Sequence, residues 1–239
     1  IDSLLPAKPV YPKDQEGALG AATHWTDTFL FKVSVAVAFQ PKALAASNLF
    51  SDPATAKAFM ADRAAFSKGS SELAIDLEIA LPHWLMHLQR LEGQLSAADF
   101  LGGNTPNILD FSTYHCCWFV YKNDALKADL ELYPALAQWM SRMAAFNQIQ
   151  PDMISGEEAV SVAGSSASAV EPGVEALSGV ALSPGDEVEI MPIDYGFQPT
   201  QGELLVASKE ALVVKRVDER AGAIAVHFPR LGFQINKVA

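Results

Sequence analysis

The stretch from Phe100 to Trp118, FLGGNTPNILDFSTYHCCW, constrains this chain more than any other. Asn107 is a favoured helix N-cap residue, because its side-chain oxygen can accept a free backbone N–H of the first turn. Asp110, three places on, can reach back to the cap's own N–H. A helix is therefore expected to start at Ile108. Through Tyr121 nearly every position after the first turn is apolar, including Phe111, Tyr114, Cys116, Cys117, Trp118, Phe119 and Val120. Such a helix has no face suited to water and is expected to be the central, buried element of a helical domain.

At 239 residues, half of them hydrophobic, the chain can build a sizeable core, and two domains are expected. Divided at Gln150, it carries 11 basic and 15 acidic residues before that point (net −4) and 6 basic and 13 acidic after it (net −7), summing to −11. With Lys215 and Arg216 as the one adjacent basic pair, neither half has the patch that a nucleic acid or an anionic membrane surface demands. No run reaches the ~18 apolar residues of a membrane span. The start, IDSLLPAKPVYP, has no basic region followed by an apolar run. The two cysteines, Cys116 and Cys117, are neighbours on one helix and do not pair readily, which suits a reducing cytosol.

Taken in order, Ile1–Leu5 reads as a helix end, and PAKPVYP as an extended linker that its prolines keep from continuing a helix; together they make a segment 1–13. From Asp14 to about Phe39 the apolar positions Ala22, Trp25, Phe29, Val33 and Ala36 predict one long amphipathic helix that stops near Pro41. A second helix is expected over 53–67, with Asp52 as cap and Pro53 in its first turn. A third is expected over 71–95, kinked or broken at Pro82. Beyond the helix at Ile108, a short piece near Ala125–Leu130 and a helix entered at Tyr133–Pro134 complete a bundle of five or six helices over 14–150.

From 151 to 184 the small, polar, Gly/Pro-punctuated texture marks a linker that can hold a short helix, with Ser155 and Glu158 as its cap. From Gly185 the period becomes two: Val188 and Ile190 alternate with glutamates, and Ile224, Val226 and Phe228 alternate with Ala223, Ala225 and His227. Five short strands in 185–239 are too few for a sandwich, so a small SH3-like β-barrel is the economical fold. The expected class is α+β in two domains.

Chemistry is sparse. His83 and His87, four apart on a helix, could face one metal, but no adjacent Glu or third ligand accompanies them, so they read as packing or surface histidines and no metal is expected. His115 beside Cys116 and Cys117 does not make an activated thiol, because consecutive helix positions do not face each other. There is no phosphate loop, dinucleotide fingerprint or nucleophile elbow. In the barrel, Asp194, Tyr195, Asp218, Glu219, Arg220, His227 and Arg230 suit local ion pairs better than a docking surface.

The segment FLGGNTPNILDF resembles the capping-box signature of the buried helix in the C-terminal domain of cytosolic glutathione transferases. Trp25, LEGQL (Leu91–Leu95) and ELYPALAQWMSRM (Glu131–Met143) fit the same family, and the resemblance covers roughly residues 1–147. Asn107 stands where the family has Ser or Thr, which preserves capping. The thioredoxin-like βαβ domain that precedes this one in the family is not in the sequence. The resemblance implies that such a missing domain binds glutathione, as co-substrate, and activates its thiol, leaving no catalytic residue here. It implies that this chain supplies the wall for a small apolar electrophile, by position Thr28, Phe31, Lys32 and Val35 on the first helix with Tyr114 and Trp118 on the helix at Ile108. Lys32, an isolated cation among apolar neighbours, either snorkels to solvent or faces an anion such as a glutathione carboxylate. A cytoplasmic homodimer is implied as well. The alternative reading is a non-catalytic interaction or scaffold module.

Overall fold

The computed structural model of the chain describes residues 9–46, 52–148, 152–166, 170–175 and 181–238. The expected helix end at Ile1–Leu5 lies outside the described residues. The chain divides into two compact units, one of Ile1–Ala61 with Ser71–Ile149, the other of Asp62–Ser70 with Gln150–Ala239.

The first unit is helical. Its first helix is α1 (Glu16–Trp25), a π-helical turn (Thr26–Leu30) and α2 (Phe31–Ala38) run together. The interruption has a local cause. The hydroxyls of Thr23, Thr26 and Thr28 donate to the carbonyls of Leu19, Ala22 and His24, four residues back, competing with the backbone ladder where it loosens to the wider π pitch. A short α3 (Pro41–Ala46) follows. In α4 (Pro53–Phe66), Asp52 accepts from the backbone N–H of Thr55 at 2.9 Å.

Helix α5 (Leu77–Leu95) starts six residues later than the pattern suggested, because Ser71–Asp76 is turn and extended chain. Pro82 then falls in its second turn and removes one hydrogen bond, but the helix is continuous to Leu95. Helices α6 (Ile108–Tyr121), α7 (Asp124–Glu131) and α8 (Pro134–Ala144) complete the unit. Its core gathers Leu30, Val33 and Val37 from the first helix, Trp84, Leu88 and Leu91 from α5, Cys117 and Val120 from α6, and Leu136 and Trp139 from α8. Such burial is the dominant favourable term, roughly 1.5–3 kcal/mol per large side chain.

The expectation that α6 has no face suited to water needs correcting. Asp110, Thr113, Cys116, Cys117 and Val120 are buried, whereas His115 is exposed and Trp118 is 42% exposed. The helix buries one side, and its aromatic side chains on the other give a stripe too wide for that burial.

The second unit carries α9 (Gly156–Ser165) and strands β1 (Gly173–Val174), β2 (Glu187–Pro192), β3 (Thr200–Ala207), β4 (Ala211–Asp218), β5 (Gly222–Pro229) and β6 (Phe233–Lys237). The order is β5-β4-β3-β2-β6, an antiparallel meander with β6 returning beside β2, while the two-residue β1 pairs parallel with the end of β3. A bulge between Leu204 and Val206 shifts the phase of β3, so that Leu204 and Ala207, three apart, both face the core of Val188, Ile190, Leu212, Val214 and Ile235. The five strands expected over 185–239 are β2 to β6, while β1 lies in the stretch expected to be linker; the expected closed barrel is not formed, because among the described residues β5 and β6 end the sheet and share no ladder. Residues 62–70 belong to this unit through the 194–197 loop, where the Gly196 N–H donates to the Phe66 carbonyl at 2.9 Å and Tyr195 packs on the Phe66 ring. Gly196 has φ +66°, and a Cβ there would stand 2.6 Å from that ring, so the position requires glycine.

Candidate functional site

The start of α6 is held in place by one carboxylate. Asp110 is fully buried. Its Oδ1 accepts from the Leu101 N–H at 2.7 Å and from the Trp139 indole N–H at 2.8 Å; its Oδ2 accepts from the Asn107 N–H at 3.0 Å and the Gly102 N–H at 3.2 Å. Asn107 in turn accepts from the Leu109 N–H at 2.9 Å. Four donors are what a charge removed from water demands. A second carboxylate, Glu92 of α5, accepts from the Ala135 and Leu136 N–H groups and so caps α8. These two residues set α6 and α8 side by side.

Between them, closed at one end by α7, lies a cavity of about 400 Å³. Tyr114, Trp118 and Tyr121, at spacings of four and three on α6, form one wall. Met140 and Ser141 of α8 face them, and Lys122, Asp124 and Lys127 stand at the α7 side. Tyr114 sets its ring edge-on to Trp139 at 6.0 Å, and burial raises its pKa above the ordinary phenol value. The Lys122 ammonium lies 5.3 Å from the Trp118 ring centre, and that of Lys127 lies 5.1 Å from the Tyr121 ring. Hydrogen bonding to Tyr121, foremost, keeps Lys127 protonated to higher pH than usual.

The other four sequence candidates do not line this cavity. Thr28 is exposed and donates back to His24 in the π turn. Phe31 and Val35 are half-buried on α2, and Lys32 folds back over the Phe29 ring at 5.8 Å, using the apolar stem that its surroundings favour. What reasoning along the chain did not reach are the two lysines and the α8 face. Lys122 lies just past the end of α6 and Lys127 lies within α7, and α8 joins only through tertiary packing.

A second cavity, also about 400 Å³, lies between α1 and α5 and is lined by Trp25, Ile79, Pro82, His83, Met86, His87 and Arg90. The Nε2 atom of His87 is buried there without a hydrogen-bond partner. Burial, with the Arg90 charge adding to it, lowers the pKa of His87 to about 4, so the ring is neutral near pH 7. Cys116, whose Sγ lies 3.9 Å from the Thr26 carbonyl, is pushed up to about 11 by burial, and burial pushes Cys117 higher still. Both thiols stay protonated at neutral pH and are poor nucleophiles. Among the described residues no group of three or more His, Cys, Asp or Glu could hold a metal ion, and no helix is long and apolar enough to cross a membrane.

Among curated proteins none matches the chain. Of solved structures, a GST-like protein from Pseudomonas syringae shares the fold with a TM-score of 0.75 and 29% identity, over 96% of this chain and 70% of its own. That likeness takes in most of the β-rich region as well as the helices. Residues 59–142, from α4 to the end of α8 and including the Asn107–Asp110 cap, match the family model of the glutathione S-transferase C-terminal domain. The chain therefore carries, over residues 59–142, a match to the glutathione S-transferase C-terminal domain, and its fold is that of a GST-like protein.

Proposed function

We propose that the full-length protein is a glutathione transferase-like enzyme that joins the glutathione thiolate to a small electrophile, with this chain supplying the substrate-side wall. The observation that carries the reading is a cavity walled by Tyr114 and Trp118 inside the segment that matches this family's C-terminal domain. An aromatic wall of that size holds a small apolar body while its few polar groups orient it. On this reading the thiol is ionised elsewhere, since Cys116, Cys117 and Tyr114 have raised pKa values and offer no anion at neutral pH to take its proton. Glutathione is then a co-substrate bound mainly by a thioredoxin-like domain outside this chain, and the enzyme works as a cytoplasmic homodimer.

The test is conjugation of glutathione to a chromogenic aryl halide, alongside calorimetric titration of glutathione into this chain and into the full-length gene product. Turnover by the full-length product alone supports the division of labour. Micromolar glutathione binding and turnover by the 239-residue chain alone overturn it.

A second reading, a non-catalytic scaffold, has one observation in its favour. The second unit exposes Val217 on β4 and Leu231 in the turn between β5 and β6, each at 80%, and its sheet has open edges among the described residues. Inactivity of both preparations would favour it.

A further inference from the structure

The cavity between α6, α7 and α8 has a charge that an apolar ligand does not use. The chain as a whole carries −11, yet Lys122 and Lys127 both line this one cavity against a single carboxylate, Asp124, so the lining is net +1 (two lysines less one aspartate). Lys127 has a partner in Glu131, 3.8 Å away, and a ring in Tyr121. Lys122 has no carboxylate partner among the described residues and rests on the face of Trp118. A cation held over an indole at the mouth of an aromatic slot leaves its other N–H groups free to point outward. Tyr114 adds a hydroxyl group to the same space, while those of Tyr121 and Ser141 donate to the Glu131 carboxylate and the Ala137 carbonyl.

We propose that this cavity takes a planar aromatic anion, its ring against Trp118 and Tyr114 and its carboxylate or sulfonate between Lys122 and Lys127. The proposal deepens the reading above and rests on it in one respect, that the Tyr114–Trp118 wall is where the ligand sits; it adds that the ligand is charged. The anion sits toward the lysines because Asp124 repels it from the remainder of the α7 end. Nothing is transferred at this step, and the residues named here bind and orient only.

The experiment is direct binding to the 239-residue chain of two near-isosteric probes, 4-nitrobenzoate and 4-nitrobenzamide, followed by tryptophan quenching and by calorimetry. The expected result is that the acid binds about tenfold more tightly than the amide at low salt. The preference should shrink several-fold at about 0.5 M NaCl and vanish in K122M/K127M, while W118A weakens both probes. Both lysines are at least partly exposed, so the double variant retains its fold. Equal binding of acid and amide, abolished by W118A, leaves the aromatic wall standing and overturns the anion assignment. A preference that survives K122M/K127M also overturns it, because the charge is then read elsewhere. Binding of neither probe overturns it together with the wall.

Discussion

The indole N–H of Trp139 donates to Oδ1 of Asp110 at 2.8 Å, a side-chain bond between two fully buried residues that ties the middle of α8 to the cap of α6. The same carboxylate closes the Leu101–Gly102 loop and the Asn107 N–H, so one residue serves three segments. Replacing Asp110 with Ala leaves four donors without their anion and should cost about 3–5 kcal/mol. Trp139→Phe, which deletes only the indole donor, should cost about 1–3 kcal/mol, and Asn107→Ala about 1 kcal/mol as a lost cap. Denaturant unfolding monitored by far-UV dichroism tests this order. If Asp110→Ala is no worse than Asn107→Ala, the carboxylate is not the hub described.

Two glycines should respond oppositely to the same substitution. A Cβ on Gly102 would stand 2.7 Å from Asn107 Nδ2 and 2.8 Å from the Thr105 carbonyl, so Gly102→Ala must push the cap aside and should lose about 1–3 kcal/mol. Gly93, in the exposed face of α5, has nothing within 4 Å of that position. Gly93→Ala should gain up to about 1 kcal/mol from helix propensity. Melting temperatures of the two variants should therefore move in opposite directions.

Glu92 offers a cap that the chain around α8 does not reveal. It lies 43 and 44 residues before the N–H groups it accepts from, on a different helix. Glu92→Ala should cost about 1–2 kcal/mol, as for a lost N-cap. Glu92→Gln keeps an acceptor but loses the interaction of its charge with the helix dipole, about 0.5 kcal/mol. A silent Glu92→Ala in the same unfolding assay would show that Pro134 alone sets the start of α8.

That distinction between local and distant causes separates what could be read along the chain from what could not. The Asn107–Asp110 pair spans three residues, so its chemistry is visible in the sequence; its bonds to Leu101 and Trp139 are not, because they depend on packing. Alternation marked β2 and β5, but two residues such as Gly173–Val174 carry no period, and whether a sheet closes depends on its edges meeting. The π turn was missed because helical spacing survives a single wide turn. Of the candidate wall, Tyr114 and Trp118 share a cavity because they are four apart on one helix, while Thr28, Phe31, Lys32 and Val35 were grouped with them only by resemblance. Trp118 was assigned to the interior on apolarity alone, which measures what a side chain tolerates and not where the neighbouring helices leave room.

The last prediction follows from His87, whose buried Nε2 has no partner. In the folded chain its pKa is lowered to about 4, chiefly by burial and then by Arg90, which with His83 shares its cavity; in the unfolded chain it returns to about 6.5. The unfolded state therefore binds the proton more readily. The stability contribution is complete above pH 6.5 and falls, as pH drops, by about 1.4 kcal/mol per unit toward pH 4. Between pH 6.5 and 5 the loss from this residue is about 2 kcal/mol. All four tryptophans (Trp25, Trp84, Trp118 and Trp139) lie in the helical unit, so their emission follows that unit alone through a urea transition. His87→Phe fills a similar volume without a titrating group and should flatten the dependence in this window while changing stability at pH 7.5 much less. An unaltered slope in the variant, or a His87 imidazole resonance that titrates near 6.5 in the folded chain, would refute the assignment.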